Sequence, residues 1–309
     1  MTRRGAQIEV VEVSPRDGLQ NEAQLFTIAQ KVALIDHMVA AGAKRIEVAS
    51  FVRADRVPQM ADAEAVFAAL DLPDDVTTIG LVMNERGARR AFATDVRELG
   101  AVCVATDSFA LRNQGQTSRE SLDVATGIVA LAQREGRRAQ ITIGAAFGCP
   151  FEDEVDPDHV VEMARRIAGS GAREIALADT IGVAVPGQVS ALVTRIREAV
   201  PDTPLRIHLH NTRGTAVANA WAAIEAGATV LDASLGGIGG CPFAPAATGN
   251  VATEDLLYML DRSGIDTGYD FDRTVQAGQW LAGEMGRVLP ALAGRAGAFP
   301  RRDAPDLQS

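Results

Sequence analysis

The sequence predicts an α/β fold, a (β/α)8 TIM barrel with extra helices at its carboxyl end, and three observations carry that expectation. Short β-branched runs alternate with longer alanine-rich stretches along the chain. Eight such runs can be counted, each leading into a helical stretch, which is the pattern of parallel βαβ units. Polar residues gather just after the first, second, fifth, sixth, seventh and eighth runs, whereas an open doubly wound sheet would gather its site at one switch point.

The expected strands are residues 8–13, 45–49, 77–81, 101–105, 140–145, 174–178, 205–209 and 229–233. Several follow a glycine that can take the left-handed conformation and stop a helix: Ala41-Gly42-Ala43, Leu99-Gly100-Ala101, Ser170-Gly171-Ala172 and Ala226-Gly227-Ala228. After the eighth strand, residues 253–263 and 271–292 read as amphipathic helices, the second through Phe271, Val275, Leu281, Met285 and Val288. The chain therefore divides into a barrel over residues 1–270, a helical extension packed on it over 271–294, and a flexible polar tail over 295–309 that contains Pro300 and Pro305.

Composition narrows the function. A chain of 309 residues, 47% hydrophobic and 23% charged, is ordinary globular material with enough length for one large core. Its formal charge of −10 argues against a nucleic-acid partner, whose phosphates need a basic face. An anionic substrate stays open, because one metal ion or arginine reverses the field inside a cleft. Cys103, Cys149 and Cys241 are too few and too scattered for a disulfide framework, so a reduced, cytoplasmic setting is expected. No run of about 18 apolar residues suggests a membrane span, and the amino terminus lacks the apolar core of a signal peptide.

Chemistry concentrates in a few places. In His208-Leu209-His210 the two imidazoles, two residues apart on a strand, point the same way, toward the catalytic mouth if they sit at a strand's carboxyl end. An isolated pair of this kind is as readily two hydrogen-bonding histidines in a wet cleft. Asp17, in Ser14-Pro15-Arg16-Asp17-Gly18-Leu19-Gln20, shifts the balance. Strands one and eight pair in a closed barrel, so the ends of strands one and seven lie near each other. Two imidazoles and a carboxylate suit a borderline or hard divalent ion. The bland alternatives are a turn-forming aspartate before Gly18 and a surface ion pair for Arg16.

Glu47 ends the second strand, where it can bond Arg16 or serve only as a structural salt bridge. Asp179, just past the sixth strand, carries the same ambiguity. Gly236-Gly237-Ile238-Gly239-Gly240-Cys241-Pro242-Phe243 can form a lid or a backbone-donor cradle, but it is neither a GxGxxG nor a Walker loop. Cys241, flanked by glycine and proline, is a candidate for proton transfer. Asn250, taken alone, reads as a helix N-cap. His37 and His159 fall within helical stretches and read as surface residues.

Taken together and in this order, these residues resemble the 3-hydroxy-3-methylglutaryl-CoA lyase family of the DRE-TIM metallolyase group, from Ile8 to about Gly268. The strongest blocks are Ser14-Pro15-Arg16-Asp17-Gly18-Leu19-Gln20-Asn21-Glu22, Val57-Pro58-Gln59-Met60, Gly148-Cys149-Pro150-Phe151 and Asp179-Thr180-Ile181-Gly182-Val183. To these are added the glycine–cysteine loop and Thr248-Gly249-Asn250-Val251-Ala252-Thr253-Glu254-Asp255-Leu256.

The resemblance implies a metal centre of Asp17, His208, His210 and Asn250 holding Mg2+ or Mn2+. It implies that Arg16 stabilises an enolate oxygen, that Cys241 transfers a proton from the lid, and that Glu47 orders the site, with Gln20 and Asp179 near the substrate. The implied reaction is retro-Claisen cleavage of 3-hydroxy-3-methylglutaryl-CoA, or a close 3-hydroxy-3-carboxymethyl acyl-CoA, to acetyl-CoA and acetoacetate or the matching 3-oxo acid. A homo-oligomer, dimer or tetramer, is expected.

Two stretches depart from the family pattern. Asn211 and Arg213 stand where the lyases usually carry Asp and Tyr, and Arg53-Ala54-Asp55-Arg56 stands where Ser-Pro-Lys is common. Neither removes a ligand or Arg16. Both lie at the mouth, so they bear on the acyl portion of the substrate. The alternatives are a condensing synthase of the citramalate or isopropylmalate kind on the same scaffold, and a barrel kept for binding without catalysis.

Overall fold

Eight parallel strands close into a barrel in sequence order, with the first hydrogen-bonded to the eighth. The computed structural model describes residues 7–240 and 249–300. The strands are β1 (Glu9–Glu12), β2 (Arg45–Ser50), β3 (Thr77–Val82), β4 (Glu98–Val104), β5 (Arg138–Gly144), β6 (Ile175–Asp179), β7 (Leu205–Leu209) and β8 (Val230–Ala233).

Helices α1 (Ile28–Ala40), α2 (Ala63–Ala69) and α3 (Glu85–Phe92) follow the first three strands. After β4 come α4 (Asp107–Gln114) and α5 (Ser118–Arg134). Then α6 (Pro157–Gly169), α7 (Pro186–Ala199), α8 (Ala216–Glu225) and α9 (Thr253–Arg262) each follow one strand. Two more, α10 (Phe271–Met285) and α11 (Ala293–Ala296), extend past the ring.

Local chemistry sets these limits. Thr27 and Thr117 open α1 and α5 with reciprocal capping boxes to Gln30 and Glu120, satisfying donors that a helix start leaves free. Past the end of α1, Gly42 takes φ +109°, and a Cβ there would fall 2.4 Å from the carbonyl of Gly268. Gly100 behaves otherwise. It lies inside β4, which begins at Glu98, so it is no helix exit; a Cβ there would come within 3.0 Å of Gln140 Nε2. The amphipathic helix expected over residues 271–292 also ends early, at Met285, because Gly286 turns left-handed at φ +61°. His37 and His159 are exposed as expected, and the His37 ring lies 4.6 Å from that of Trp280.

The barrel interior is not simply aliphatic. Val11, Val13, Ile79 and Val230, from β1, β3 and β8 and the residue just past β1, form a small apolar plug. Below it, fully buried Arg45 bonds Glu174 through both terminal nitrogens at 3.0 Å, Glu9 at 3.2 Å, and Glu98. Arg206, also buried, binds Asp232 and lies 3.9 Å from Glu174. Removing one partner of such a buried ion pair leaves an uncompensated charge. Above the plug lies the mouth. No helix among the described residues is long and apolar enough to cross a membrane.

Candidate active site

The turn after β1 is a single π-helical turn, Ser14–Gly18, in which the N–H groups of Arg16, Asp17 and Gly18 all point at the Val13 carbonyl, at 3.2, 2.8 and 3.1 Å. Such turns are rare and recur at functional sites. This one sets Arg16 and Asp17 side by side over the barrel mouth. It is held from beneath by Glu12, a fully buried acid that accepts from Ser14 N at 2.9 Å, Leu235 N at 3.0 Å and the Thr253 hydroxyl at 2.8 Å. Glu12 therefore ties the turn, the glycine loop and the start of α9 together.

Arg16 forks between two acids: one terminal nitrogen meets Asp17 at 2.5 Å and the other meets Glu47 at 2.8 Å. Glu47 is aimed by a register shift between Glu47 and Ala49 in the β2–β3 pairing, as bulges beside active sites commonly do. Arg16 Nε is buried with no hydrogen-bond partner among the described residues, so one donor remains for a bound oxygen.

His208 and His210 project from β7 and the residue after it, their rings 5.0 Å apart and edge-on at 77°. Ligand atoms of Asp17, His208 and His210 all lie within 4.8 Å of one another. The Nδ1 atoms point away from that cluster. That of His208 meets Asp232 at 2.9 Å and that of His210 meets the Asp179 carbonyl at 2.9 Å. A carbonyl can only accept, so His210 carries its proton on Nδ1 and leaves Nε2 with a free lone pair.

Asn250, paired with His210 by an isolated bridge, is no helix cap, since α9 starts after Ala252. Its amide nitrogen donates to Asp17 at 2.8 Å and to the Ile238 carbonyl at 3.1 Å. Its Oδ1 is buried and has no partner among the described residues. Two imidazole nitrogens, a carboxylate and an orphaned amide oxygen form a donor set that fits a divalent ion.

The electrostatics agree. Burial alone would raise the Asp17 carboxyl, but Arg16, the two histidines and the Asn250 bond hold it far below the usual carboxylate range. Burial, helped by the His208 charge, pushes His210 down to about 4, so its ring is neutral at physiological pH. Burial opposes charge on His208 too, yet the bond to Asp232 and the nearby Asp17 and Asp232 charges raise it.

The glycine loop passes directly over these groups. A Cβ on Gly239, at φ +105°, would sit 2.6 Å from the Asn250 amide nitrogen and 3.1 Å from the Asp17 carbonyl, so only glycine fits there. The root of the loop is anchored: Gly236 N donates to Glu254 at 2.8 Å and Gly236 O accepts from Ala291 N at 3.1 Å. Cys241 lies outside the described residues.

Gln20 is half-buried two residues past the π-turn. Asp179 turns its carboxylate onto its own loop, accepting from Val183 N at 2.9 Å and Ala184 N at 3.0 Å, and only its carbonyl reaches the site. In the Val57–Met60 block, buried Gln59 accepts from Phe26 N at 3.0 Å and donates to Gln24 O at 3.0 Å; it is a strut for the loop behind Arg16 and Asp17. The residues that sequence reading missed are Glu12, Arg206 and Asp232. Asp232 had a signal: it holds the same fourth place in the run 229–233 that His208 holds in the run 205–209.

Glu254 offers a test of the anchored root. Burial raises its carboxyl from 4.5 to about 8. Between those values the folded protein holds a proton that the unfolded chain releases. The stabilisation is therefore full below the unfolded value and is lost as pH rises through the folded one. Between about pH 5 and about pH 9 the melting temperature of the wild type is expected to fall more steeply than that of Glu254→Gln. Parallel curves would refute the assignment.

The HMGL-like family profile matches residues 7–281. An (R)-citramalyl-CoA lyase of Chloroflexus aurantiacus is 43% identical, over 94% of this chain and 95% of that protein. A 3-hydroxy-3-isohexenylglutaryl-CoA/hydroxy-methylglutaryl-CoA lyase of Pseudomonas aeruginosa is 39% identical, over 94% and 96%. Among solved structures, an HMG-CoA lyase from Acinetobacter baumannii in complex with coenzyme A and 3-methylmalate superposes with a TM-score of 0.92, at 37% identity and covering 100% of both chains.

Proposed function

The chain belongs to the HMGL-like family and is a carbon–carbon lyase of acyl-CoA esters, and from that premise we propose that it cleaves 3-hydroxy-3-methylglutaryl-CoA, or a close 3-hydroxy-3-carboxymethyl acyl-CoA, with a divalent metal ion. The observation that carries this reading is the convergence of Asp17, His208 and His210 within 4.8 Å beside Arg16, with the Asn250 amide bonded to Asp17 through its nitrogen and its buried oxygen left without a partner among the described residues. These four residues would hold Mg2+ or Mn2+. When bound, the ion acidifies a substrate hydroxyl and anchors a neighbouring carboxylate.

Everything else falls to the chain's own groups. The C3 hydroxyl gives up its proton to a base or water at the mouth, its O–H pair forms the ketone C=O as the C2–C3 bond breaks, and the C2–C3 pair moves onto the thioester as an enolate. Arg16, clamped by Asp17 and Glu47, keeps its Nε proton for that enolate oxygen. Glu47 acts by fixing the fork. Asp179 supports His210 through its carbonyl, and Gln20 is assigned to the substrate at the rim. Cys241 is assigned the return of the proton to C2, completing acetyl-CoA.

A second reading concerns the acyl group. The citramalyl-CoA lyase at 43% identity acts on an ester with its carboxylate one methylene closer to the hydroxyl carbon, so that cleavage leaves a 2-oxo acid. Asn211 and Arg213 follow His210 in the loop that leads to α8. Arg213 donates to the carbonyls of Ile181 and Gly182 at 3.1 and 2.8 Å, and Asn211 accepts from Ala216 N at 3.2 Å.

One methylene in a pocket is worth about 10- to 200-fold in kcat/KM. Assay of both esters with Mg2+ and Mn2+ therefore separates the readings. Preference for hydroxymethylglutaryl-CoA with release of acetoacetate supports the first, and preference for citramalyl-CoA by that factor supports the second. No acetyl-CoA from either, or from a panel of 3-hydroxy-3-carboxymethyl acyl-CoAs with other C3 substituents, in protein that binds Mn2+, overturns both.

A further inference from the structure

Asp232 lies on β8, beside His208 on β7, and divides its two oxygens between two tasks. One accepts from Arg206 Nε and the other meets His208 Nδ1 at 2.9 Å. The carboxylate is 5% exposed and Arg206 2%, so neither bond competes with bulk water. We propose that Asp232 is a positioning residue for the metal centre, one that locks the His208 ring with its proton on Nδ1 and its Nε2 lone pair turned to the cation. The inference rests on the metal reading given above.

The two histidines of the pair are held by different means. His210 donates to a backbone carbonyl, a neutral acceptor that no side-chain substitution removes. His208 donates to a side-chain anion, and a charge-assisted bond both fixes the ring more firmly and pushes more electron density onto the distal nitrogen. Arg206 secures Asp232 as that anion from the opposite side, and Glu174, 3.9 Å from Arg206, links the arrangement to the charged floor. The Nε2 of His208 stands 3.8 Å from Asp17 Oδ2, the spacing of two ligands around one ion. The cation's grip on β7 therefore depends on a residue of β8 that does not touch it.

The test is calorimetric titration of the metal-free full-length protein with Mn2+, beside a thermal melt. Asp232→Asn keeps the shape and removes the charge, and is expected to bind Mn2+ about 10- to 100-fold more weakly. A purely structural role would lower the melting temperature and leave Mn2+ affinity within twofold of the wild type, which overturns the proposal.

Because Asp232→Asn leaves Arg206 short of a partner, the double variant Arg206→Met/Asp232→Asn removes the cation as well, and the same weakening is expected. Nitrogen-15 NMR of the wild type loaded with Mg2+ checks the assignment without any substitution. A proton on Nδ1 of His208 supports it, and a proton on Nε2 overturns it. Wild-type protein that takes up no Mn2+ overturns instead the metal reading beneath.

Discussion

Arg16→Met is expected to lower kcat about 10²- to 10³-fold, the usual cost of losing one preorganised donor at a developing oxyanion. Mn2+ affinity should not weaken. Arg16 competes with a cation for Asp17, meeting Oδ1 at 2.5 Å, and its removal frees that carboxylate. The sign of the metal effect is what makes the variant informative, since a general collapse of the site would lower turnover and affinity together. Arg16→Lys is expected to rescue little, because one ammonium cannot span Asp17 and Glu47 as the planar fork does. Stopped-flow release of acetyl-CoA and Mn2+ titration measure the two effects. Near-normal turnover in Arg16→Met would take the residue out of the mechanism.

Metal removal is the second large effect. Exhaustive chelation is expected to abolish turnover, and Mg2+ or Mn2+ to restore it, because polarisation by a bound divalent ion is worth several kcal/mol of barrier. Adding the ion should also raise the melting temperature. A ligand at 100 times its dissociation constant stabilises the folded state by about 2.7 kcal/mol. The His210→Ala variant should lose this thermal shift, since its neutral ring with a free Nε2 is one of the candidate ligands. Full activity after chelation and dialysis would sink the metal role.

The barrel and half of its candidate site are legible in the sequence, for physical reasons. Strand periodicity places His208 and His210 on one face without knowledge of any partner, and closure brings β1 and β7 close. Arg16, Asp17 and Glu47 could thus be grouped from the chain alone. What could not be read were bonds set by register. Asp232 looks like a stray acid in an apolar run until β8 is aligned with β7.

Glu12 is similar, since its three partners come from three separate segments. Gly100 misled because a glycine between helix-like and strand-like residues serves equally as a stop or as room for a neighbour, and Gln140, its partner on the adjacent strand β5, decides which. The resemblance named Asn250 as a ligand, while the sequence alone favoured a cap. The orphaned Oδ1 is the independent reason to prefer the ligand.

The charged floor also constrains how this molecule can change over evolutionary time. Arg45 on β2 answers to acids on β1, on β4 and just before β6, and Arg206 on β7 answers to Asp232 on β8. Losing a buried member, Arg45, Glu98, Glu174, Arg206 or Asp232, leaves a charge short of its partner in the dry interior, at about 3–5 kcal/mol, a large share of a domain's net stability, whereas half-exposed Glu9 matters less. Single replacements there are expected to be costly, and compensated exchanges across strands to cost less. Homologous chains should accordingly vary at these positions in linked sets, even where the surrounding aliphatic residues drift independently.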